Sequence, residues 1–272
     1  MAKYKKKRAR ELQHDKFRDT AITIFDRLGD RLEGKGKAIL YGIVGVIALA
    51  LLLGLALRWR SRKADEAQRA LGRAITIAST PIAGDPSAAA EPGAPKFSSE
   101  QERAQRAIDE FQKVAAKYGD PYRTEARYFM ATNMLAVDRN KAIAELAEVA
   151  KSSNVETAQL AKFALAQAYE MDSKLDEAAK LYSELAAQNA SVVTPDTANL
   201  RLAAVYEKQG KKKEAVDILF NIVDASRKAK DTDGTALPAS GAVRDATEKL
   251  QQLDPDRYAK LTPDTLTGDL PF

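Results

Sequence analysis

Four alanines recur at nearly constant intervals, and this repeat is the strongest constraint on how the chain can fold. Ala107, Ala142, Ala178 and Ala215 are separated by 35, 36 and 37 residues. Small residues recur in this way where two antiparallel helices cross closely. One helical hairpin cannot bury its own apolar face, whereas a stack of hairpins buries a continuous core. The repeat therefore predicts three to four stacked helical hairpins.

The residues around two of these alanines repeat as well. The segment "ALAQAYEMDSKLDEAAKLYSEL" aligns with "RLAAVYEKQGKKKEAVDILFNI" without a gap. The sequence from 99 to 253 lacks the alternating pattern of β-strands and is rich in strong helix formers. We interpret the recurring aromatic residues as core packing rather than as ligand contacts. The matched positions are Ala166, Tyr169, Ser173, Ala178 and Tyr182 in the first segment, and Ala203, Tyr206, Gly210, Ala215 and Leu219 in the second.

Local signals mark where individual helices begin. Asp120-Pro121 and Thr194-Pro195 each place a capping residue before a proline, which is favoured at the first helical position. The last helical segment, 239–253, carries its apolar residues on one side and is predicted to close the stack. The repeat resembles the tetratricopeptide repeat (TPR), whose period is 34 residues. The resemblance implies an all-α, TPR-like α-solenoid with a C-terminal capping helix.

A second feature, the run "AILYGIVGVIALALLLGLAL" at 38–57, contains no charged residue. An α-helix rises about 1.5 Å per residue, so 20 residues span roughly the 30 Å hydrocarbon core of a bilayer. A cleaved signal peptide usually has a shorter apolar region, and a buried core helix is rarely this apolar. We predict a single N-terminal transmembrane helix. Small residues four apart, at Ala38/Gly42 and Ala50/Gly54, suggest weak self-association through this helix.

The net positive charge of the chain is concentrated before this run. Residues 1–37 hold 12 Lys or Arg and 6 Asp or Glu, although the whole chain has a net charge of only +5. Such an arm can contact nucleic acid or anionic lipid through phosphates. We favour the membrane and do not expect nucleic acid as a partner. The predicted segments are a basic cytoplasmic arm with an amphipathic helix (1–37), the transmembrane helix (38–57), a juxtamembrane helix (58–78), a Pro/Ala-rich flexible loop (79–98), the TPR-like domain (99–253) and a C-terminal tail (254–272).

Composition excludes several kinds of catalytic site. The chain has no cysteine and one histidine, His14, which lies in the basic arm. Disulfides, thiolate metal sites and a Ser-His-Asp triad in the main domain are therefore ruled out. No phosphate-binding loop of the GxxxxGK[ST] type is present. We expect no enzymatic activity, no cofactor and no metal site.

The order of arm, span and repeat domain resembles the bacterial family of membrane-anchored TPR proteins that includes the ancillary subunit of the SecYEG translocon and a cell-division coordinator. The arm sequence "RELQHDKF" at 10–17 is also similar to that family. The resemblance implies a single-pass inner-membrane protein with a cytoplasmic N-terminus and a periplasmic repeat domain. It further implies partners among the translocon, periplasmic chaperones and unfolded polypeptide. An envelope scaffold for division or wall synthesis and a cytoplasmic-facing regulator stay open as alternatives.

The resemblance also indicates where a partner would bind. In TPR proteins the first helix of each pair lines a concave groove. The groove candidates in this sequence form a mixed, partly apolar set, which suits an extended or helical, partly hydrophobic segment. These candidates are Arg127, Met134, Phe163, Gln167, Glu170, Met171, Leu200 and Glu207.

Overall fold

The computed structural model describes residues 36–83, 96–188, 192–230, 232–233, 235 and 237–262. The predicted amphipathic helix of the arm, the centre of the 79–98 loop and the end of the tail lie outside these ranges. The described residues contain helices and no strand, with one isolated bridge between Ile82 and Phe97. The helices are α1 (Gly36–Ser79), α2 (Glu100–Lys117), α3 (Tyr122–Met134), α4 (Arg139–Val149), α5 (Val155–Met171), α6 (Leu175–Ala186), α7 (Pro195–Lys208), α8 (Lys212–Lys228), α9 (Gly241–Leu253) and α10 (Pro255–Tyr258).

The chain divides into two compact units, Met1–Asp65 and Glu66–Phe272. In the first unit, the described residues form the N-terminal part of α1. Within the described part of the chain, α1 alone is long and apolar enough to cross a membrane, with a mean hydropathy of 2.2 over its best window. No side chain of that window is buried, whereas a helix in a soluble core would bury most of them. Helix α1 is therefore compatible with a single membrane span.

In the second unit, successive helices form antiparallel pairs that share their apolar clusters. The repeating alanines Ala107, Ala142, Ala178 and Ala215 have no exposed surface. Each cluster joins both helices of one pair to the first helix of the next, so the core runs through the stack. This arrangement confirms the predicted all-α, TPR-like fold. Each of the four clusters contains the residue four positions after one of these alanines, namely Phe111, Leu146, Tyr182 and Leu219.

The C-terminal part of α1 packs against the first of these pairs. Leu71 and Ala74 are buried in one cluster with Ala107 and Phe111 of α2. The two ends of the predicted 79–98 loop are joined, because the backbone N–H of Ala83 donates to the carbonyl of Phe97 at 2.8 Å. Helix α2, which matches only the second half of a repeat, thus has α1 in the place of a first helix.

Side-chain caps define most of the helix starts. Thr194 accepts a hydrogen bond from the backbone N–H of Thr197, and Pro195 is the first residue of α7, as the sequence predicts. The same prediction for Asp120 is wrong, because α3 begins at Tyr122 with Pro121 in the capping position. The Asp120 carboxylate instead accepts a hydrogen bond from the Thr124 hydroxyl at 2.6 Å.

The turns after α5 and α7 have the same backbone geometry but a different residue at the left-handed position. In the first turn Ser173 has φ 58°, and in the second Gly210 has φ 75°. The N–H of the following residue reaches back to a tyrosine carbonyl in both turns, from Lys174 to Tyr169 and from Lys211 to Tyr206. This pattern is the Schellman motif, in which glycine tolerates the left-handed conformation that other residues resist.

We expect opposite effects from exchanging the turn residues. Gly210→Ala should lower the free energy of unfolding by about 1 kcal/mol, because alanine is strained at this φ. Ser173→Gly should raise it by a few tenths of a kcal/mol, since relief of strain exceeds the added freedom of the unfolded chain. Urea denaturation of a 66–272 fragment measures both values. Destabilisation by Ser173→Gly would contradict the shared geometry of the turns.

Candidate protein-binding groove

An open groove of about 710 Å³ lies along the first helices of the last two pairs and the capping helix α9. Half-buried apolar side chains form part of its lining, and polar and charged residues form the rest. Helices α5, α7 and α9 share this surface because they occupy equivalent positions in the stack. The lining residues are Phe163, Thr197, Leu200, Arg201, Ala204, Gly241, Ala242, Asp245, Glu248, Lys249 and Gln252.

The apolar part of the groove is fixed from behind by the core. Phe163 makes an edge-to-face contact with the buried ring of Tyr182, with centroids 5.6 Å apart. Leu200 packs against the cluster that includes Ala203 and Leu219. The groove therefore presents preformed apolar surface, which lowers the entropy cost of binding a partner.

The charged part of the groove is balanced. Arg201 and Lys249 supply two positive charges, and Asp245 and Glu248 supply two negative charges. Lys249 also pairs with Glu207 across 3.6 Å. A balanced rim favours neither a strongly acidic nor a strongly basic ligand.

Glu170, a predicted groove residue, joins three helices in the structure. Its carboxylate accepts a hydrogen bond from the Tyr182 hydroxyl at 3.2 Å and pairs with Lys208 at 2.6 Å. Burial, with the nearby Glu170 carboxylate, raises the pKa of Tyr182 well above its ordinary value. Only 10% of the Glu170 side chain is exposed, so its contacts connect α5, α6 and α7 rather than face a ligand.

The remaining candidates do not form one site. Arg127 pairs with Glu145 of α4, and this hydrogen bond raises the pKa of the guanidinium. Met171 is 66% exposed and lines a separate depression beside Leu135 and Arg139. Of the eight predicted residues, the structure places Phe163 and Leu200 in the groove and joins Glu207 to it through Lys249. Met134 and Gln167 are half-buried outside the groove lining.

The contribution of α9 is absent from the sequence prediction of the groove. Its buried side chains, Val243, Ala246 and Leu250, face the stack as the sequence predicts. The helix also takes the place of a first helix in a following pair, so Asp245 and Lys249 line the groove. The charged residues between its apolar positions are the signal in the sequence that indicates this second face.

The described residues offer no metal-binding group of three or more His, Asp or Glu side chains. The residues that line the groove include no serine, cysteine, histidine or tyrosine. What the arrangement can do chemically is bind: apolar contacts at its base, with hydrogen bonds and ion pairs at its rim.

No family model and no curated protein matches the chain. Among solved structures, it is similar to a Podosopora anserina protein assigned as a kinesin light chain with nearly identical TPR-like repeats, and to a point variant of that protein. Each is 20% identical with a TM-score of 0.44, over 56% of this chain and 77% of the other. The packing of the described residues makes the chain a TPR-like helical repeat protein, with a long apolar helix near its N-terminus. This class of fold typically serves as a non-enzymatic scaffold for protein partners.

Proposed function

We propose that the protein is a single-pass, membrane-anchored scaffold whose groove binds a partly apolar polypeptide segment. The observation that carries this proposal is the groove itself: preformed apolar side chains from three helices, enclosed by charges that cancel. Apolar anchors in such a groove supply affinity, and a polar rim supplies orientation. The fully exposed apolar part of α1 supplies the anchor.

We further propose that the protein acts at the inner membrane of a bacterium, with the N-terminal arm in the cytoplasm and the repeat domain in the periplasm. The excess of basic residues in the arm supports this orientation, because Lys and Arg are retained on the cytoplasmic side. The 20 residues on each side of the span have nearly equal numbers of basic residues, with five before the span and six after it. The resemblance of the arm to the translocon-associated family supports a position near the export channel.

In this position the groove would hold an emerging polypeptide or a periplasmic chaperone at the translocon. Affinity purification of the intact chain in mild detergent tests the assignment. Recovery of translocon subunits and chaperones is the expected result. Recovery of division proteins or wall enzymes would instead support an envelope scaffold, and recovery of soluble cytoplasmic factors would support a regulator that faces the cytoplasm.

Filling the groove should weaken partner binding without unfolding the domain. Ala204 is half-buried and lines the groove, so Ala204→Phe occupies the space of a partner side chain. We expect the affinity for the partner to fall about thirtyfold, because one interface hot spot is worth about 2 kcal/mol or more. The control is Ala225→Phe, which adds the same side chain at an exposed position of α8. Equal recovery with both variants would place the binding surface elsewhere.

A further inference from the structure

Four basic side chains follow the apolar segment of α1 without an interruption by acidic residues. Arg58, Arg60, Arg62 and Lys63 are all exposed. None of them forms an ion pair with a carboxylate of the residues that the structure describes. Their positive charge is thus available to an external anion, and it is placed where the predicted transmembrane helix ends.

Two of these residues share a surface with apolar side chains. A shallow groove of about 490 Å³ is lined by Leu52, Leu55, Ala56, Arg58, Trp59 and Arg62. Arg58 and Arg62 are four residues apart, so their side chains leave the helix on the same face, about 5–6 Å apart at Cβ. Lys63 lies over the ring of Trp59, with its Nζ 3.8 Å from the ring centroid. The surface therefore combines two guanidinium groups, an aromatic ring and an apolar strip.

The position of this surface matches the layers of a bilayer. Residues 38–57 cover roughly the 30 Å hydrocarbon core, and the next six residues rise about 9 Å. The headgroup layer on each side is about 5–8 Å thick. Leu52 and Leu55 then lie at the depth of the acyl chains, while Arg58 and Arg62 lie at the depth of the lipid phosphates.

We propose that Arg58, Arg62 and Trp59 form a binding surface for an anionic phospholipid in the leaflet where the span ends. This inference rests on the membrane anchor of the proposed function. Guanidinium groups pair with phosphate oxygens through two parallel hydrogen bonds, and Trp59 is an amphipathic ring at the interface. An anionic lipid carries a net negative charge, which a zwitterionic lipid lacks. The unpaired basic cluster therefore selects the anionic lipid.

The single tryptophan of the chain makes the surface directly observable, because all tryptophan fluorescence comes from Trp59. The full-length protein is reconstituted in vesicles that contain brominated phosphatidylglycerol or, separately, brominated phosphatidylcholine at the same mole fraction. Bromine quenches tryptophan only at short range, so the two curves give the relative occupancy of lipids beside Trp59. We expect about a thirtyfold preference for the anionic lipid, because Arg58 and Arg62 each contribute about fivefold near a membrane surface. The preference should fall as salt is raised.

Two double variants test whether the lipid preference comes from this surface or from general attraction to a charged membrane. Arg58→Gln with Arg62→Gln should bring the two quenching curves together. The control, Arg69→Gln with Arg73→Gln, removes two charges with the same spacing further along the same helix and should leave the preference unchanged. Equal quenching in the wild type, or an undiminished preference in the Arg58/Arg62 variant, overturns the inference and leaves the anchor intact. Absence of quenching by either lipid overturns the anchor itself.

Discussion

Replacing Val46 and Leu49 with arginine is expected to release the protein from membranes. Each arginine near the centre of a span adds about 2.5–3.5 kcal/mol to the cost of insertion, so the pair adds roughly 5–7 kcal/mol. In the structure these side chains are 68% and 58% exposed, so the substitutions disturb no packing in the described residues. Extraction of membranes with alkaline carbonate measures the result, and the variant should appear in the soluble fraction.

A matched control places arginines on the same helix outside the apolar segment. Gln68→Arg with Thr76→Arg changes exposed positions of α1 and should leave the protein in the membrane pellet. If the Val46/Leu49 variant also stays in the pellet, the anchor is not the apolar segment of α1.

Phe111→Ala is expected to destabilise the helical repeat unit by about 3–5 kcal/mol, because it removes a large, fully buried side chain. Phe111 has no exposed surface, stacks on Phe129 at a centroid distance of 5.5 Å and lies in one cluster with Leu71 of α1. Chemical denaturation of the 66–272 fragment gives the free energy of unfolding.

The comparison for this variant is Phe220→Ala. Phe220 is only half-buried, and the Arg257 guanidinium lies over its ring at 5.0 Å. Replacement by alanine should therefore lower the free energy of unfolding less at Phe220 than at Phe111. A smaller loss of unfolding free energy for Phe111→Ala than for Phe220→Ala would show that α1 and α2 do not share a packed core.

The periodicity of the sequence predicts the core of the helical repeats well. The alanine spacing predicts which side of each second helix faces the core, and Phe111, Leu146, Tyr182 and Leu219 are buried at the same offset from it. The pattern works because close crossing of helices requires a small residue. The pairing of α1 with α2 was harder to predict, since the proline-rich segment 79–98 separates the two helices and interrupts the period.

The sequence predicts the groove less well than the fold. A helical pattern shows on which face of a helix a residue lies, but not which residues of other helices contact it. Glu170 lies on a first helix, as a groove residue should, yet Tyr182 and Lys208 reach it from α6 and α7. Side chains from other helices decide whether such a carboxylate binds a ligand or holds the stack together. The role of α9 depends in turn on tertiary position, which its own sequence does not encode.

The side of the membrane on which the repeat domain lies is the most direct test of the proposed extracytoplasmic scaffold. The chain has no cysteine, so single cysteines report position without background labelling. Gln68→Cys places a thiol at an exposed position of α1 beyond the apolar segment, and Ala2→Cys places one in the arm. We expect a membrane-impermeant maleimide to label Gln68→Cys on intact spheroplasts and to label Ala2→Cys only after permeabilisation. Labelling of Ala2→Cys alone on intact spheroplasts would contradict a periplasmic repeat domain and leave the cytoplasmic-facing regulator.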